Sequence, residues 1–282
     1  MRRALTVKDE VDQIAAVERL TTVFEGIASI KISRIRDSVL FSKSFFNEVW
    51  QMYSSLRINP EEQMKRQKGH KKERKIVVAI TSEGRLSGGL INDVKSRINE
   101  VLKEQKSADL MVLGAHGYTT LEQAGISVTY AYSLPSVDQQ FDVQKIVDIL
   151  SAHSTITVIY QTYESLRVQR VVATELIATI QELGGEIAEE ENVTTLSSEN
   201  FMFEPSIALI ADQLEALMIE VALTQMIMES KLAQYASRFN AMNRARHKAF
   251  DMKTVTTREF FRAKRSESDE RLKETMKMLG RA

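Results

Sequence analysis

A glycine cluster, Gly84-Arg85-Leu86-Ser87-Gly88-Gly89, lies between a β-branched run and a helical pattern. That is where a phosphate-binding loop sits in an α/β fold. Such a loop needs a Lys-Ser/Thr pair after its last glycine, or the order G-x-G-x-x-G, so that backbone N–H groups and a cation converge on the phosphates. Neither pattern is present. The cluster, with Gly84, Gly88 and Gly89 as its turn residues, reads as a tight strand-to-helix connection that lets backbone approach closely. Four histidines, His70, His116, His153 and His247, fall on different predicted elements. They form no i,i+4 pair and have no carboxylate cluster beside them, which argues against a metal site. His116 stands at a strand end, a common catalytic place, but without a nucleophile or acid partner it reads as a loop residue. The acidic cluster Glu186, Glu189, Glu190 and Glu191 reads as a solvated loop. The chain has no cysteine, which removes disulfides and thiolate metal sites. No catalytic constellation, cofactor site or metal site is expected, so the chain is not expected to be an enzyme.

The charge balance narrows the partners. The chain has 38 basic and 38 acidic residues in 282, without the basic excess of a general nucleic-acid binder. The charge is uneven, however. Residues 61–75 carry seven Lys/Arg against three Glu, and residues 238–265 carry nine against two acids. No apolar run reaches the 18 or so residues that span a bilayer. Arg2 and Arg3 lead into Asp9, Glu10 and Asp12 rather than an apolar region, so neither a signal peptide nor a transit peptide is expected.

The elements that must position any site are unusually long. From Ser206 to Leu279 there is no glycine and no proline, and the run is rich in helix formers. One helix of that length measures roughly 110 Å, far more than a small domain can cover. Up to Pro60 the chain has the same character, with Gly26 its only glycine. Apolar residues at three- and four-residue steps (Val7, Val11, Ile14, Val17, Phe24, Ile27, Ile35, Val39, Phe46, Val49, Tyr53) predict a helix from Val7 to about Arg57. The C-terminal helix has a 3-4 seam from 207 to 252 that passes from Ile, Leu and Val into Lys, Arg, Ala and Met. A homodimeric zipper keeps Leu or Ile throughout, so the outer part of this helix is expected to meet something other than an identical helix.

Between the helices the texture alternates. Ile76–Thr81, Asp109–Ala115 and Thr155–Tyr163 read as buried strands, Asn92–Lys106 and Val143–Ala152 as helices, and Gln169–Leu176 as a strand or a helix start. That order implies a mainly parallel sheet covered by helices. The expected class is α/β: a long antiparallel coiled coil of N- and C-terminal helices plus a central Rossmann-like domain. The expected division is a helix over 1–59, a basic linker over 60–75, an α/β domain over 76–200 and a helix over 201–282.

Three segments together resemble the gamma subunit of the F-type ATP synthase, the central rotor shaft. Arg19-Leu-Thr-Thr-Val-Phe-Glu-Gly-Ile-Ala-Ser-Ile-Lys31 is similar to the family's K-I-T-K-A-M-x-M-V-A-x-x-K. Ile80-Thr-Ser-Glu-Gly-Arg-Leu-Ser-Gly-Gly-Leu90 is similar to I-T-S-D-R-G-L-C-G-G. Phe201-Met-Phe-Glu-Pro-Ser206, followed by Glu229-Ser-Lys-x-Ala-x-x-Ala-Ser-Arg238-x-x-Ala-Met242, resembles F-E-P-S and E-x-x-x-x-E-x-x-A-R-x-x-A-M. Order and spacing hold over essentially the whole chain. The departures mark a diverged member: Thr22 replaces a basic residue, Phe24 and Gly26 replace two methionines, Gly84-Arg85 inverts Arg-Gly, and Lys264-Arg265 replaces Arg-Gln.

The resemblance implies a non-catalytic shaft that couples ion-driven rotation of a membrane ring to ATP synthesis or hydrolysis at a hexamer of alpha and beta subunits. The implied partners are that hexamer, the epsilon subunit and the membrane c-ring, with no nucleic acid and no transmembrane segment. The implied place is peripheral, on the cytoplasmic face of a bacterial inner membrane. Carried over position by position, the interface with the hexamer is Arg19, Thr21, Phe24, Glu25, Ala28, Lys31, Arg238, Met242, Lys264 and Arg265. Two other readings fit the same plan: a gamma-like shaft of a specialised rotary ATPase, and a homo-oligomeric coiled-coil scaffold with an α/β head.

Overall fold

A computed structural model describes residues 3–55, 74–134, 143–182 and 207–279. The acidic cluster at 186–191, His70, most of the basic linker and the Phe201–Ser206 motif lie outside the described residues. The chain divides into two compact units, Met1–Ser29 with Arg238–Ala282, and Ile30–Ser237.

The first unit is a pair of antiparallel helical segments. It contains the beginning of α1 (Ala4–Ser55) and the end of α5 (Ile207–Leu279). On α1 the residues turned inward are Ala4, Val7, Val11, Ile14, Glu18, Thr21, Glu25 and Ala28, an unbroken 3-4 repeat. The facing residues of α5 are Met242, Arg246, Ala249, Lys253, Thr256, Phe260, Ala263 and Glu267. Bonds at three levels fix the register: Ala4 N–H to Glu267 Oε1 (2.7 Å), Lys253 Nζ to Glu18 Oε2 (2.9 Å), and Arg246 Nε to Glu25 Oε2 (2.8 Å). This corrects one sequence expectation, a seam on α5 that runs through Met252. Val17, Phe24 and Ile27 point outward, because beyond Ile14 the inner positions of α1 are taken by Glu18, Thr21, Glu25 and Ala28. On α5 the inner line runs through Lys253, and Met252 is exposed.

The second unit is built on a five-stranded sheet, β1 (Lys75–Ile80), β2 (Asp109–Leu113), β3 (Tyr130–Tyr132), β4 (Thr155–Tyr163) and β5 (Gln169–Glu175). The spatial order is β3-β2-β1-β4-β5, with the first four parallel and β5 antiparallel on the edge. Residue alternation along β1 explains the layers. Ile76, Val78 and Ile80 join a core with Phe46 and Val49 of α1, Ile146 and Leu150 of α4 (Gln144–Ser151), and Leu223, Met226 and Ile227 of α5. Val77 and Ala79 face the other way, onto Val94, Ile98 and Val101 of α2 (Leu90–Glu104) and Leu121 of α3 (Ala115–Gln123). A strand with both faces covered reads as a continuous apolar run, which is what IVVAI is.

Two elements escaped the sequence reading, α3 and the three-residue β3. The strand expected over Asp109–Ala115 stops at Leu113, because Gly114 takes φ +123° and turns the chain into α3. Segment 169–176 resolves as β5 running straight into a helical stretch at 176–182.

Candidate functional site

In an open parallel sheet, ligands bind beyond the carboxyl ends of the strands, where the strand order reverses. That point lies here between β1 and β4. The chain after β1 leads through α2 to β2 on one side, while β4 pairs on the other. The glycine cluster forms the loop above it. Leu86 (φ +73°) and Gly88 (φ +62°) both adopt left-handed backbone, a strained state for leucine and an easy one for glycine. Gly89 begins α2 at φ −80°, and an added Cβ would meet nothing within 4 Å, so only Gly88 uses its freedom here. Gly84 lies at the bend of the same loop.

The crevice is already filled, by α5. Gln161, at the end of β4 and 1% exposed, donates from Nε2 to the Ile80 carbonyl at 2.9 Å. Its Oε1 accepts from Ser230 Oγ and from Gln234 Nε2, the latter at 3.0 Å. Gln234 Nε2 also reaches Ser230 Oγ at 3.0 Å. One turn further on, Ser237 Oγ donates to the Ser87 carbonyl of the glycine loop at 2.7 Å. What remains is a cavity of about 10 Å³ edged by Ser82, Ser87, Gln161 and Gln234. That is room for about one water molecule, not a nucleotide. The loop that resembles a phosphate cradle therefore holds a helix.

Charged groups are also drawn into this region. Glu83 Oε1 accepts the backbone N–H groups of Ala115 (3.2 Å) and Leu134, so it ties the loop to α3 and to the end of β3. Lys231 is 7% exposed. Burial lowers its pKa and Lys31 adds to the lowering, with Glu83 acting against both. Burial raises the carboxyl pKa of Glu229 despite a hydrogen bond from the Tyr163 backbone, and burial next to Glu229 pushes Tyr160 up to about 12. The Glu229 shift sets a pH dependence. An acid whose folded pKa lies above its unfolded value is most favourable to folding below the unfolded pKa, near 4.3, and loses that contribution as pH rises through the folded pKa. Glu229→Gln is therefore expected to melt above the native chain at pH 8, with the gap closing toward pH 4. Thermal scans across that range check it, and an equal or lower Tm for the variant at pH 8 would contradict it.

The first unit offers a different surface. Among the sequence-predicted interface residues, Thr21, Ala28 and Met242 are buried between the helices. Glu25 is bound within the chain, by Asn243 Nδ2 at 2.7 Å and Arg246 Nε at 2.8 Å. Partial burial works to raise the Glu25 carboxyl pKa, but those two hydrogen bonds, with the Arg246 and His247 charges, hold it below the usual range. Arg19, Phe24, Lys264 and Arg265 face outward, while Arg238 is half-buried and Lys31 belongs to the second unit. The sequence reading missed Glu18, Asn243, Arg246 and Lys253, whose charged or amide side chains gave no sign of facing inward. Half-exposed ion pairs of this kind contribute only about 0.2–1 kcal/mol each.

The apolar residues displaced from the seam form the outer surface. Val17, Leu20, Val23, Phe24 and Ile27 of α1 are 38–58% exposed, as are Phe250, Val255 and Phe261 of α5. Every residue from Ser268 to Leu279 is exposed, including Leu272, Met276, Met278 and Leu279. Helices with apolar residues on several outward faces mark surfaces that other chains cover. In the second unit, a groove of about 510 Å³ between α1 and α5 exposes Phe41 and Phe45 under an acidic edge of Asp37 and Glu220. Of the remaining histidines, His153 is held by the Ile149 carbonyl (2.8 Å) and Asp109 (3.4 Å), and His247 is exposed. Among the described residues, no group of three His, Asp or Glu side chains could hold a metal ion, and no helix is long and apolar enough to cross a membrane.

Comparison with known proteins agrees with this architecture. A sequence profile described as ATP synthase matches residues 4–274. The ATP synthase gamma chain of Chlorobaculum parvum is 22% identical over 95% of this chain and 96% of its own. That of Psychrobacter cryohalolentis is 25% identical over 87% of each. Among solved structures, a chain of the Euglena gracilis mitochondrial ATP synthase (OSCP/F1/c-ring) superposes with a TM-score of 0.62 at 11% identity, over 98% of this chain and 94% of that one. A chain of the Tetrahymena thermophila central stalk and c-ring gives 0.58 at 17% identity, over 80% and 99%. At these identities the solved structures speak for the fold.

Proposed function

This chain belongs to the ATP synthase gamma family, and we propose from that premise that it is the central-stalk rotor of an F-type ATP synthase. Its work is mechanical: it carries rotation between a membrane ring and the nucleotide sites of other subunits, and the catalysis happens there. The observation that carries this reading is the outer surface of the first unit. Apolar residues face away from the helix pair on both helices, and residues 268–279 are exposed on all sides, so the pair is built to stand inside a ring of other chains.

The finer assignment follows from the chemistry of that surface. A hexamer of alpha and beta subunits surrounds the first unit, with Phe24 and its apolar neighbours meeting apolar walls and Arg19, Lys264 and Arg265 meeting carboxylates. Rim charges of this kind can be re-paired at each step of a turn, because screened contacts form and break without large barriers. The α/β unit takes the epsilon subunit and the membrane c-ring, which makes the protein peripheral on the cytoplasmic face of a bacterial membrane. An asymmetric shaft acts on the surrounding sites by differential contact: each orientation favours one conformation of the subunit it faces, and nucleotide affinity follows.

Co-expression with the alpha and beta subunits of the same genome tests this. The expected result is a complex with one copy of this chain per hexamer and ATPase activity that depends on its presence. Recovery of a bare hexamer, with this chain free or self-associated, would overturn the reading.

A further inference from the structure

The parallel sheet leaves its carboxyl-end crevice occupied by its own C-terminal helix, and the contact there is polar where the rest of the helix–sheet contact is not. On α5, Leu223, Met226 and Ile227 enter the apolar core. The next turns bring Ser230 and Gln234 against Gln161, all three buried, and then Ser237 against the Ser87 carbonyl. An apolar contact is tolerant of sliding and rotation, since its energy depends on area rather than direction. A buried amide and hydroxyl are not, because displacement leaves each unsatisfied in a dry site. Gln161 cannot turn to follow a moving helix either, since its Nε2 is committed to the Ile80 carbonyl at the heart of the sheet. The strained Leu86 and left-handed Gly88 hold the loop that presents the Ser87 carbonyl.

We propose that Gln161, Ser230 and Gln234, backed by the Ser237–Ser87 bond, are a register lock that fixes α5 to the sheet so that rotation of the α/β unit passes into the helix without slip. They are positioning residues, and the crevice that could have evolved toward a ligand serves here as a keyway. The lock rests on the rotor reading, and it adds the residues at which torque is transferred.

The test uses the assembled ATP synthase reconstituted in vesicles, comparing ATP-driven ion pumping per ATP hydrolysed. The lock is removed by Gln161→Leu with Ser230→Ala and Gln234→Leu, which takes away the three mutually bonded polar side chains together and leaves the Ile80 carbonyl as the group that loses its side-chain donor. The variant is expected to assemble, to stay folded with a modestly lower Tm for the lost Ile80 bond, and to hydrolyse ATP at the native rate in the detached alpha–beta–gamma complex. Pumping per ATP is expected to fall about tenfold, equivalent to about 1.4 kcal/mol. Ser237→Ala, at a half-buried position, is expected to lower the ratio in the same direction, and Ser230→Thr, which keeps the hydroxyl, to preserve it. Native pumping per ATP in both the triple variant and Ser237→Ala overturns the lock, as does an equal loss in Ser230→Thr. Failure of the native chain to couple overturns the rotor reading itself, and the lock's transmitting role with it.

Discussion

Alanine at position 114 is expected to destabilise the α/β unit by about 4 kcal/mol and to lower its Tm by roughly 10 °C. Two independent costs coincide there. Gly114 sits at φ +123°, a conformation that an L side chain adopts only under strain. An added Cβ would also stand 2.4 Å from Thr81 Oγ1 and 2.7 Å from the Thr81 carbonyl oxygen. Thr81 cannot yield, because it continues the central strand and its hydroxyl lies 2.9 Å from the Leu113 carbonyl. Gly117 presses on the same threonine, where a Cβ would fall 1.9 Å from Oγ1. Gly26 supplies the control. It lies inside α1 at ordinary φ with nothing within 4 Å, so Gly26→Ala is expected to stabilise by about 0.5–1 kcal/mol. Thermal unfolding followed by circular dichroism separates the two. A loss below about 1 kcal/mol at Gly114 would show that the turn relaxes freely, against this account.

Ending the chain at Glu259 is expected to spare folding and damage coupling. Neither core of the second unit uses a residue beyond Ile227, so the melting of the α/β unit should not change. The first unit loses the Ala4–Glu267 bond, Phe260 and Ala263 from its inner line, and all of the fully exposed segment 268–279. Coupled ATP synthesis is expected to fall about tenfold, within the usual range of coupling between distant sites. Unfolding of the α/β unit, or synthesis at the native level, would contradict the division of labour between the two units.

How much of this was legible in the sequence depends on which physical signal each part carries. The long helices were, because 73 residues without glycine or proline leave few alternatives. The buried strands were, because β1 and β2 have both faces covered and so read as continuous apolar runs. The seam of the first unit was not legible from Val17, Phe24 and Ile27, for the opposite reason. Periodicity assigns apolar residues to the inside, and here they serve an outer surface while Glu18 and Glu25 face in. The short α3 was hidden because Gly114 and Gly117 weaken its helical signal, and both glycines are demanded by their closeness to Thr81. The lock was invisible: Gln161, Ser230 and Gln234 look like surface residues until the sheet topology places β4 beside β1 under α5. The glycine cluster was expected to be a close-approach turn, and in the fold its Ser87 carbonyl accepts from Ser237 of the chain's own helix.

Rotation itself is the most direct test of the central claim. The complex of this chain with its alpha and beta subunits is fixed to a surface through the beta subunits, and a probe is attached to the α/β unit. With ATP supplied, the account predicts continuous one-way turning of the probe in discrete steps that follow the threefold symmetry of the ring. An active complex whose probe stays fixed, or turns without direction, would contradict it.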